Sequence, residues 1–481
     1  MRYLSQLRRG DASAGLVLVI VCAGVVLASL DLFIVNIALP DIGHDLHQAN
    51  LSALSWVLNG YAIVYAALLV LLGRLSESFD RELGFLWGVV IFTVGSVLCG
   101  VAPGLGWLIG FRVLQAVGAA LLTPTSLSLI LATTAPEKRQ GAVRAWAAVG
   151  GFAAALGPVV GGILVAAGWR WVFFVNVPVG LLALAVGWWR LPSVAGHRVP
   201  RPDALGALLV TVGIAALTLG LVEGNDWGWG SARVLGSLGL AAVSLAGFLA
   251  HTMRHSNPLV DPGLFRIRPF RGASIVGLVF STAFGAMLLA TVLWMQDVWG
   301  WSALHSGLAF APGPLMVPLF SFLVAGRLIE RLGPGRVIFL GSLLYAAGMA
   351  WWMLFVKLHA SYADQILPGT VLTGAGVGLV MPTFIGVGSG ALPPASFATG
   401  SAVINMLRQV GLSIGVAVFI AVLGTPHSAL GTLHSYQLAR GVIAAITLVS
   451  ALSGIVFLGA RRAGAEPAPA AGGPATAAAS R

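Results

Sequence analysis

The chain consists of long apolar runs separated by short segments that carry nearly all of the charge. About 20 apolar residues are enough for an α-helix to cross the hydrocarbon core of a bilayer. Of the 481 residues, 58% are hydrophobic and 9% are charged, whereas a typical soluble domain has about 25% charged residues. Long, uniformly apolar runs also differ from the short alternating strands of a membrane barrel. The pattern therefore predicts an all-α polytopic membrane protein.

We predict fourteen membrane-spanning helices from these runs. Their predicted limits are 15–39, 54–72, 84–101, 107–131, 145–167, 172–190, 204–222, 232–251, 271–294, 304–326, 336–356, 365–390, 402–424 and 439–461. The Ala/Gly/Pro-rich tail at 463–481 has a composition typical of disorder, and we expect it to be disordered.

Positive charges divide unequally between the two sets of loops. With the N-terminus placed in the cytoplasm, 21 of the 27 Lys and Arg residues lie on the cytoplasmic side, two lie inside spans, and four, including Arg440, lie on the outer side. Loops rich in Lys and Arg remain in the cytoplasm. We therefore predict a protein of the cytoplasmic (inner) membrane of a bacterium with both termini cytoplasmic. This topology accounts for the net charge of +11 without binding of nucleic acid.

A short repeat divides the chain into two similar parts. Gly73-Arg74-Leu75-Ser76-Glu77 follows span 2, and Gly326-Arg327-Leu328-Ile329-Glu330 follows span 10. If each segment follows the second helix of a six-helix half, the halves are residues 1–190 and 271–462. Residues 191–270 then hold an inserted pair, spans 7 and 8. A 6+2+6 arrangement with halves related by parallel repeat is a known pattern in secondary transporters.

Asp31 lies deep inside the first predicted span. The other acids fall in loops, tails or span ends. A carboxylate at such a depth costs about 2.5–3.5 kcal/mol on insertion scales, and an acid inside the membrane is typical of a proton or substrate pathway. The alternative is an acid that only ties the first helix to a neighbour.

Two motifs carry a resemblance to a known family. Leu30 to Pro40 reads L-D-L-F-I-V-N-I-A-L-P, and Trp169 to Gly180 reads W-R-W-V-F-F-V-N-V-P-V-G. The first resembles the motif L-D-x-T-I-V-N-V-A-L-P of the fourteen-helix drug:proton antiporters of the major facilitator superfamily, with Phe33 in place of the threonine. The second is similar to the hairpin between spans 5 and 6 in that family. The resemblance covers about residues 12–460 and implies the major facilitator fold.

The repeated segments after spans 2 and 10 resemble the superfamily signature G-x-L-a-D-r-x-G-r-k. In the first copy Glu77 replaces the usual Asp, Asp80 replaces Gly, and Glu82 replaces a base. The resemblance implies a cytoplasmic gate, and the second copy is the better preserved. The alternative is solvated turns whose charges set the topology. The gate residues implied are Gly73, Arg74, Glu77, Arg81, Gly326, Glu330 and Arg331.

Span 4 carries Arg112 and Gln115, which share a helix face because they are three residues apart. An arginine there either faces the bundle interior or snorkels to the outer interface, and the spacing leaves both open. The resemblance to the family motif R-x-x-Q-G-x-G implies the interior, with Arg112 acting beside Asp31 in proton coupling.

Span 5 contains Gly157, Pro158, Gly161 and Gly162. Small residues at this spacing allow helices to approach closely. The segment resembles the signature associated with antiporters in the superfamily, and ordinary helix packing is the alternative.

Polar residues at helical spacing are candidates for the substrate pathway. In span 13, Asn405, Arg408 and Gln409 either line a cavity or, for Arg408, reach the inner interface by snorkelling. Asn36 and Gln115 are the candidates in spans 1 and 4.

These observations together predict a proton-coupled secondary active exporter of small amphipathic organic compounds such as drugs or antibiotics, cationic ones among them. A proton-coupled importer of a small nutrient on the same fold is the alternative, although polar side chains suited to sugars are sparse in the spans. We expect no cofactor, because the sequence lacks a P-loop and the proton gradient supplies the energy. We also expect no metal site, no enzymatic activity, and a monomer whose partners are its substrate, protons and the lipid bilayer.

Overall fold

The computed structural model describes residues 13–48, 50–77, 80–194, 203–392 and 397–459. All regular structure in these ranges is helical. The predicted tail at 463–481 and the side chain of Glu77 lie outside the described part. Fourteen long helices follow in chain order, and they are named α1 to α14. Their bounds are α1 Ala14–Asp45, α2 Leu51–Glu77, α3 Arg81–Gly100, α4 Leu105–Thr133, α5 Pro136–Ala166, α6 Trp171–Arg190, α7 Ala204–Val222, α8 Ala232–Arg254, α9 Arg268–Val298, α10 Ala303–Leu332, α11 Pro334–Phe355, α12 Tyr362–Gly390, α13 Phe397–Leu423 and α14 Ala429–Leu458.

Thirteen of the helices are long and apolar enough to cross a membrane, and α5 contains the shorter apolar stretch Leu156–Ala166. Each helix overlaps one predicted span. The prediction of a helical polytopic protein is therefore confirmed, while the count of membrane-crossing helices by this criterion is thirteen within the described residues. We call the side on which α1 begins the inner side, since it is the side predicted to be cytoplasmic.

Side-chain caps explain where several helices begin. The side-chain oxygens of five residues accept a hydrogen bond from the backbone N–H three residues later, which satisfies a donor that the helix itself leaves unpaired. These capping residues are Ser13, Asp203, Ser231, Ser302 and Ser428.

Several helices are longer than the sequence predicts, and two of these differences change the placement of functionally important residues. Helix α1 continues through Pro40 to Asp45, six residues beyond its predicted end at 39. Helix α14 begins at Ala429, ten residues before its predicted start, so Arg440 lies inside a helix with 2% of its surface exposed. The assignment of Arg440 to an outer loop is therefore wrong. Polar residues interrupt the apolar pattern there, but Arg440 donates to the carbonyl of Trp352 at 3.1 Å and packs on the ring of Trp294.

Glycines allow the helices within each half to pack at short range. A Cβ built on Gly118 of α4 would lie 2.4 Å from the backbone nitrogen of Phe92 in α3, and one on Gly415 of α13 would lie 2.1 Å from the carbonyl oxygen of Thr282 in α9. Neither position has room for a side chain. Close backbone contact of this kind is how membrane helices gain van der Waals energy, since lipid supplies no hydrophobic force between them.

Helices α7 and α8 pack on each other, and α7 also packs beside α2 and α13. Gly213 of α7 lies against Leu245 of α8. The hydroxyls of Thr218 in α7 and Ser413 in α13 are 3.4 Å apart. The inserted pair thus lies along the boundary where a helix of the first half meets one of the second.

The first and second halves meet closely toward the outer side and separate further in. The carbonyl of Pro158 in α5 lies 2.4 Å from where a Cβ of Gly307 in α10 would be, and a Cβ on Gly162 would lie 2.7 Å from the carbonyl of Ala303. Nearer the inner side, a cleft of about 480 Å³ separates α1 and α5 from Phe322 of α10. At Gly326 a Cβ would have no neighbour within 4 Å. The two halves are therefore in close contact on the outer side and apart on the inner side in this structure.

Candidate functional site

Asp31 and Arg112 form an ion pair in the interior of the first half. The carboxylate oxygen Oδ2 of Asp31 on α1 accepts from Nη1 of Arg112 on α4, and both side chains are 0% exposed. The other oxygen, Oδ1, accepts from the side-chain amide of Gln115 at 2.9 Å and from that of Asn176 at 3.1 Å. Three helices, α1, α4 and α6, therefore converge on one carboxylate.

The guanidinium of Arg112 is held on several sides. Its Nε donates to the carbonyl of Val57 at 3.2 Å, and Nη1 also lies 2.5 Å from Oε1 of Gln115. Its carbon Cζ lies 4.1 Å from the centre of the Tyr61 ring and 5.8 Å from that of Phe173, distances at which a cation is attracted to an aromatic face. The side chain therefore lies in the bundle interior and does not snorkel to the outer interface.

The surroundings of this pair include residues that the sequence analysis did not select. Ser96 of α3 accepts a hydrogen bond from Gln115 at 2.8 Å and so helps to orient the amide that contacts Asp31. Asn176 belongs to the quoted Trp169–Gly180 motif, which was the available signal for it. Nothing in the local sequence distinguishes Tyr61 from other aromatic residues. Nη2 of Arg112 and the hydroxyl of Tyr61 are buried without a hydrogen-bond partner in the described structure.

A narrow cavity lies between the halves, where α1 and α2 face α9 and α13. Its volume is about 30 Å³, well below the roughly 300–1,000 Å³ of small-molecule pockets, so the halves must separate further here before a drug-sized molecule fits. Its lining is mostly aliphatic, with three polar side chains. Asn36 donates to the carbonyl of Leu32 at 3.2 Å, and the amide oxygen of Asn59 accepts from Ser413 at 3.2 Å. The lining residues are Leu32, Phe33, Asn36, Leu58, Asn59, Ala62, Gly285, Leu288, Leu412, Ser413 and Val416.

The predicted pathway residues divide between two places. Asn36 lines the cavity, whereas Gln115 lies in the Asp31 cluster. Arg408 and Gln409 lie one helical turn further in than Leu412 and Ser413, inward of the cavity lining. Asn405 lies a further turn inward and donates to the carbonyl of Ser401 at 3.1 Å.

The predicted gate residues lie at the inner ends of α2 and α10. Arg74 donates to the carbonyl of Pro258 at 2.8 Å, and Arg81 lies 3.4 Å from the carbonyl of Ser128. Gly73 packs near Pro124 of α4. In the second copy, Gly326, Glu330 and Arg331 are exposed. Glu330 makes no hydrogen bond or ion pair with the described residues, so the two copies differ in their surroundings in this conformation.

The glycines of span 5 face two different helices. Gly157 and Gly161 pack against Phe33 and Ile34 of α1, within the first half. Gly162 and the carbonyl of Pro158 instead meet the outer end of α10, in the second half. The segment therefore joins the helix that carries Asp31 to the closed outer contact between the halves.

A cluster at the inner ends of α7 and α8 was not expected from the sequence. Asp203, His251 and His255 each offer one side-chain atom of a kind that can bind a metal ion, and these three atoms lie within 4.8 Å of one another. Asp203 accepts from the backbone N–H of Gly206 at 2.8 Å and of Leu259 at 3.0 Å, and lies 2.8 Å from Nε2 of His251. Burial raises the pKa of Asp203, but these hydrogen bonds outweigh burial and hold its pKa below the usual range. The cluster ties the loop between α8 and α9 to the start of α7.

Comparison with known proteins agrees with this architecture. The sequence profile of the Major Facilitator Superfamily matches residues 21–416 and 274–480. The chain is 34% identical over 403 residues to the tetracenomycin C resistance and export protein of Streptomyces glaucescens, covering 83% of this chain and 74% of that protein. It is 34% identical over 472 residues to a puromycin resistance protein of Streptomyces alboniger, covering 93% and 92%.

A solved structure shares the fold at low sequence identity. It is a bacterial homologue of the human lysosomal transporter Spinster in an inward-facing, unoccupied conformation, with a TM-score of 0.64 and 16% identity over 92% of this chain and 97% of that one. The helical order, the sequence profile and the two resistance proteins lead to the same conclusion: this chain belongs to the Major Facilitator Superfamily.

Proposed function

We propose that the protein exports small amphipathic organic compounds, such as antibiotics, across the cytoplasmic membrane in exchange for protons. The substrate class is supported by the similarity to the tetracenomycin C and puromycin resistance proteins. Proton exchange is supported by Asp31, an acid that lies fully buried in the middle of a membrane helix.

The position of Asp31 on α1 is the observation that carries the mechanism. One face of this helix holds the carboxylate against Arg112, Gln115 and Asn176. The next residues, Leu32 and Phe33, line the cavity between the halves. A proton on Asp31 neutralises its charge, removes the ion pair and converts an acceptor oxygen into a donor. Protonation therefore changes how α1 is held beside the substrate cavity.

This coupling gives an ordered exchange. Substrate enters from the cytoplasm while the outer contact between α5 and α10 is closed. After the halves rearrange and the substrate leaves on the outer side, Asp31 takes up a proton, which favours return to the inward-facing state. Release of the proton to the cytoplasm restores the ion pair with Arg112 and prepares the site for the next substrate. Both states share the same cavity residues, as alternating access requires.

Reconstituted protein tests the proposal. Purified protein in liposomes, given an imposed pH difference, should accumulate at least one member of a panel of amphipathic dyes of either charge against its concentration gradient, and a protonophore should abolish this accumulation. Expression in a host without its own pumps should raise resistance to some members of a drug panel. Movement of solutes only down their gradients, unaffected by the pH difference, would contradict proton-coupled export.

A further inference from the structure

The charged side chains at the depth of the cavity are not balanced. Arg112, Arg408 and Arg440 lie within membrane helices, with Arg440 nearest the outer side, and among the described residues Asp31 is the acid at the depth of the first two. Asp31 is engaged by Arg112. Arg440 is packed on the rings of Trp294 and Tyr436 and donates to a carbonyl. Arg408 is the arginine of this group that has neither an ion pair nor a hydrogen bond with the described residues.

Arg408 also lies beside other polar groups that lack partners. Its Nε is buried and unpaired. The amide of the neighbouring Gln409, which is 1% exposed, lies near the hydroxyl of Tyr65 but does not meet the geometry of a hydrogen bond. Across the boundary between the halves lies Tyr65 of α2, whose hydroxyl is 2.9 Å from that of Thr123. Buried polar groups normally have partners, and an unpaired cation inside the membrane marks a functional site by default. The group therefore has the character of a binding site for a polar ligand.

The place of this group on α13 connects it with the cavity. Arg408 and Gln409 precede Leu412 and Ser413 by four residues, so each shares a helix face with a residue of the cavity lining. Arg408 therefore lies one helical turn inward of the cavity lining, on the side that a solute arriving from the cytoplasm meets first. Beyond it the walls are aliphatic and aromatic, with Phe33, Leu58 and Leu288 among them. One end of the site is cationic and the other end is apolar.

We propose that the preferred substrates are amphipathic organic anions, carrying an ionised carboxylate or acidic phenol on an apolar body. The apolar body would occupy the cavity, and Arg408 would bind the anionic group with its planar fork of donors. Gln409 would supply a further hydrogen bond. A cationic compound would meet the charge of Arg408 and would find no free carboxylate among the described residues at this depth. The inference rests on the export function proposed above and narrows its substrate class.

The charge of the substrate has a consequence for energy coupling. Export of a monoanion moves one negative charge outward, and each proton that enters moves one positive charge inward. Both movements are favoured by a membrane potential that is negative inside. A potential imposed without a pH difference should therefore drive export of an anion more strongly than export of a monocation against the same number of protons.

A matched pair of dyes tests the inference by equilibrium binding. Fluorescein and rhodamine 123 share a xanthene frame and differ in the sign of their charge. Fluorescence polarisation measures the binding affinity of each dye for the purified protein in a neutral detergent. We expect tighter binding of fluorescein. Arg408→Gln should weaken fluorescein binding at least about tenfold, since a charge-assisted hydrogen bond is lost, without weakening rhodamine 123 binding. Arg408→Lys should retain part of the fluorescein affinity that Arg408→Gln loses.

Arg190→Gln is the matched control, since it removes the same charge at the exposed inner end of α6, and it should leave both affinities unchanged. Thermal unfolding of each variant reports whether it is folded. Tighter binding of rhodamine 123 than of fluorescein by the unmodified protein, or full fluorescein affinity in a folded Arg408→Gln variant, would overturn the inference.

Transport in liposomes separates this inference from the export proposal. Uphill movement of rhodamine 123 but not of fluorescein would overturn the anion preference and leave proton-coupled export standing. Selective binding of fluorescein without uphill movement of either dye would uphold the anion site and count against coupled export.

Discussion

The carbonyl oxygen of Pro158 faces Gly307 so closely that a Cβ added to the glycine would lie 2.4 Å away. Because Pro158 belongs to α5 and Gly307 to α10, this contact joins the two halves near the outer side. It can exist only while residue 307 has no side chain and the outer side is closed.

Substitution of Gly307 should therefore shift the conformational equilibrium. We expect Gly307→Ala to disfavour the outer-closed state, because the added methyl group cannot fit without separation of α5 and α10. The readout is labelling of a cysteine placed at Phe33, in a Cys22→Ser background, by a membrane-impermeant thiol reagent applied from outside. Gly236→Ala is the control, since a Cβ there has no neighbour within 4 Å. Equal labelling rates in both variants would show that the contact does not govern outer closure.

Variants at Asp31 and Arg112 should show that the thermal stability of the protein and its proton coupling depend on the ion pair in different ways. Asp31→Asn leaves Arg112 buried without its counter-charge, and loss of one partner of a buried pair typically costs about 3–5 kcal/mol. The double variant Asp31→Asn/Arg112→Gln should recover much of the thermal stability, since neither charge remains. Neither variant should accumulate substrate on a pH difference, or release protons on adding substrate. Uphill transport by Asp31→Asn would remove Asp31 from the coupling mechanism.

The hydrogen bonds to Asp203 should make one contribution to stability depend on pH. The pKa of Asp203 is lowered in the folded protein, so the unfolded chain binds its proton more tightly, with an ordinary pKa of about 3.9. This contribution is fully present above that value and is lost as the pH falls through the lowered pKa. Asp203→Ala should reduce stability at pH 7 by about 0.5–2 kcal/mol, as for other lost helix caps.

The measurement for Asp203 is thermal unfolding at neutral pH and below pH 4. The difference between the unmodified protein and Asp203→Ala should shrink in acid. Asp261→Ala, which removes an exposed cap of a short helical turn, is the control. A difference between the unmodified protein and Asp203→Ala that does not change with pH would contradict a contribution from the ionised carboxylate.

The distribution of Lys and Arg predicts which loops face the cytoplasm. Single cysteines at Ser256, in the exposed loop between α8 and α9, and at Gly230, before α8, should be labelled from opposite sides of the membrane. Gly230 is exposed and has room for a side chain. In intact cells an impermeant reagent should label residue 230 and not residue 256. The reverse pattern would invert the topology.

Local sequence determined the helical architecture and the chemical identity of the candidate coupling site. Hydropathy and helical spacing are properties of neighbouring residues, so the spans, the intramembrane acid at Asp31 and the shared face of Arg112 and Gln115 could be predicted without a structure. The resemblance to family motifs also drew attention to the segment around Pro158. Helix ends were less certain, because polar residues such as Arg440 interrupt the apolar pattern while a folded partner helix still buries them.

Only the tertiary structure decided which of these groups meet. Asp31 and Arg112 are 81 residues apart in sequence, and Asp31 and Asn176 are 145 apart. Their contacts depend on how glycine-lined helices pack, which no local pattern encodes. The same packing decided that Arg112 is paired while Arg408 is not, although both are arginines within apolar helices. A partner's position is a property of the whole bundle, and therefore the difference between a neutralised and a free cation appears only in the folded protein.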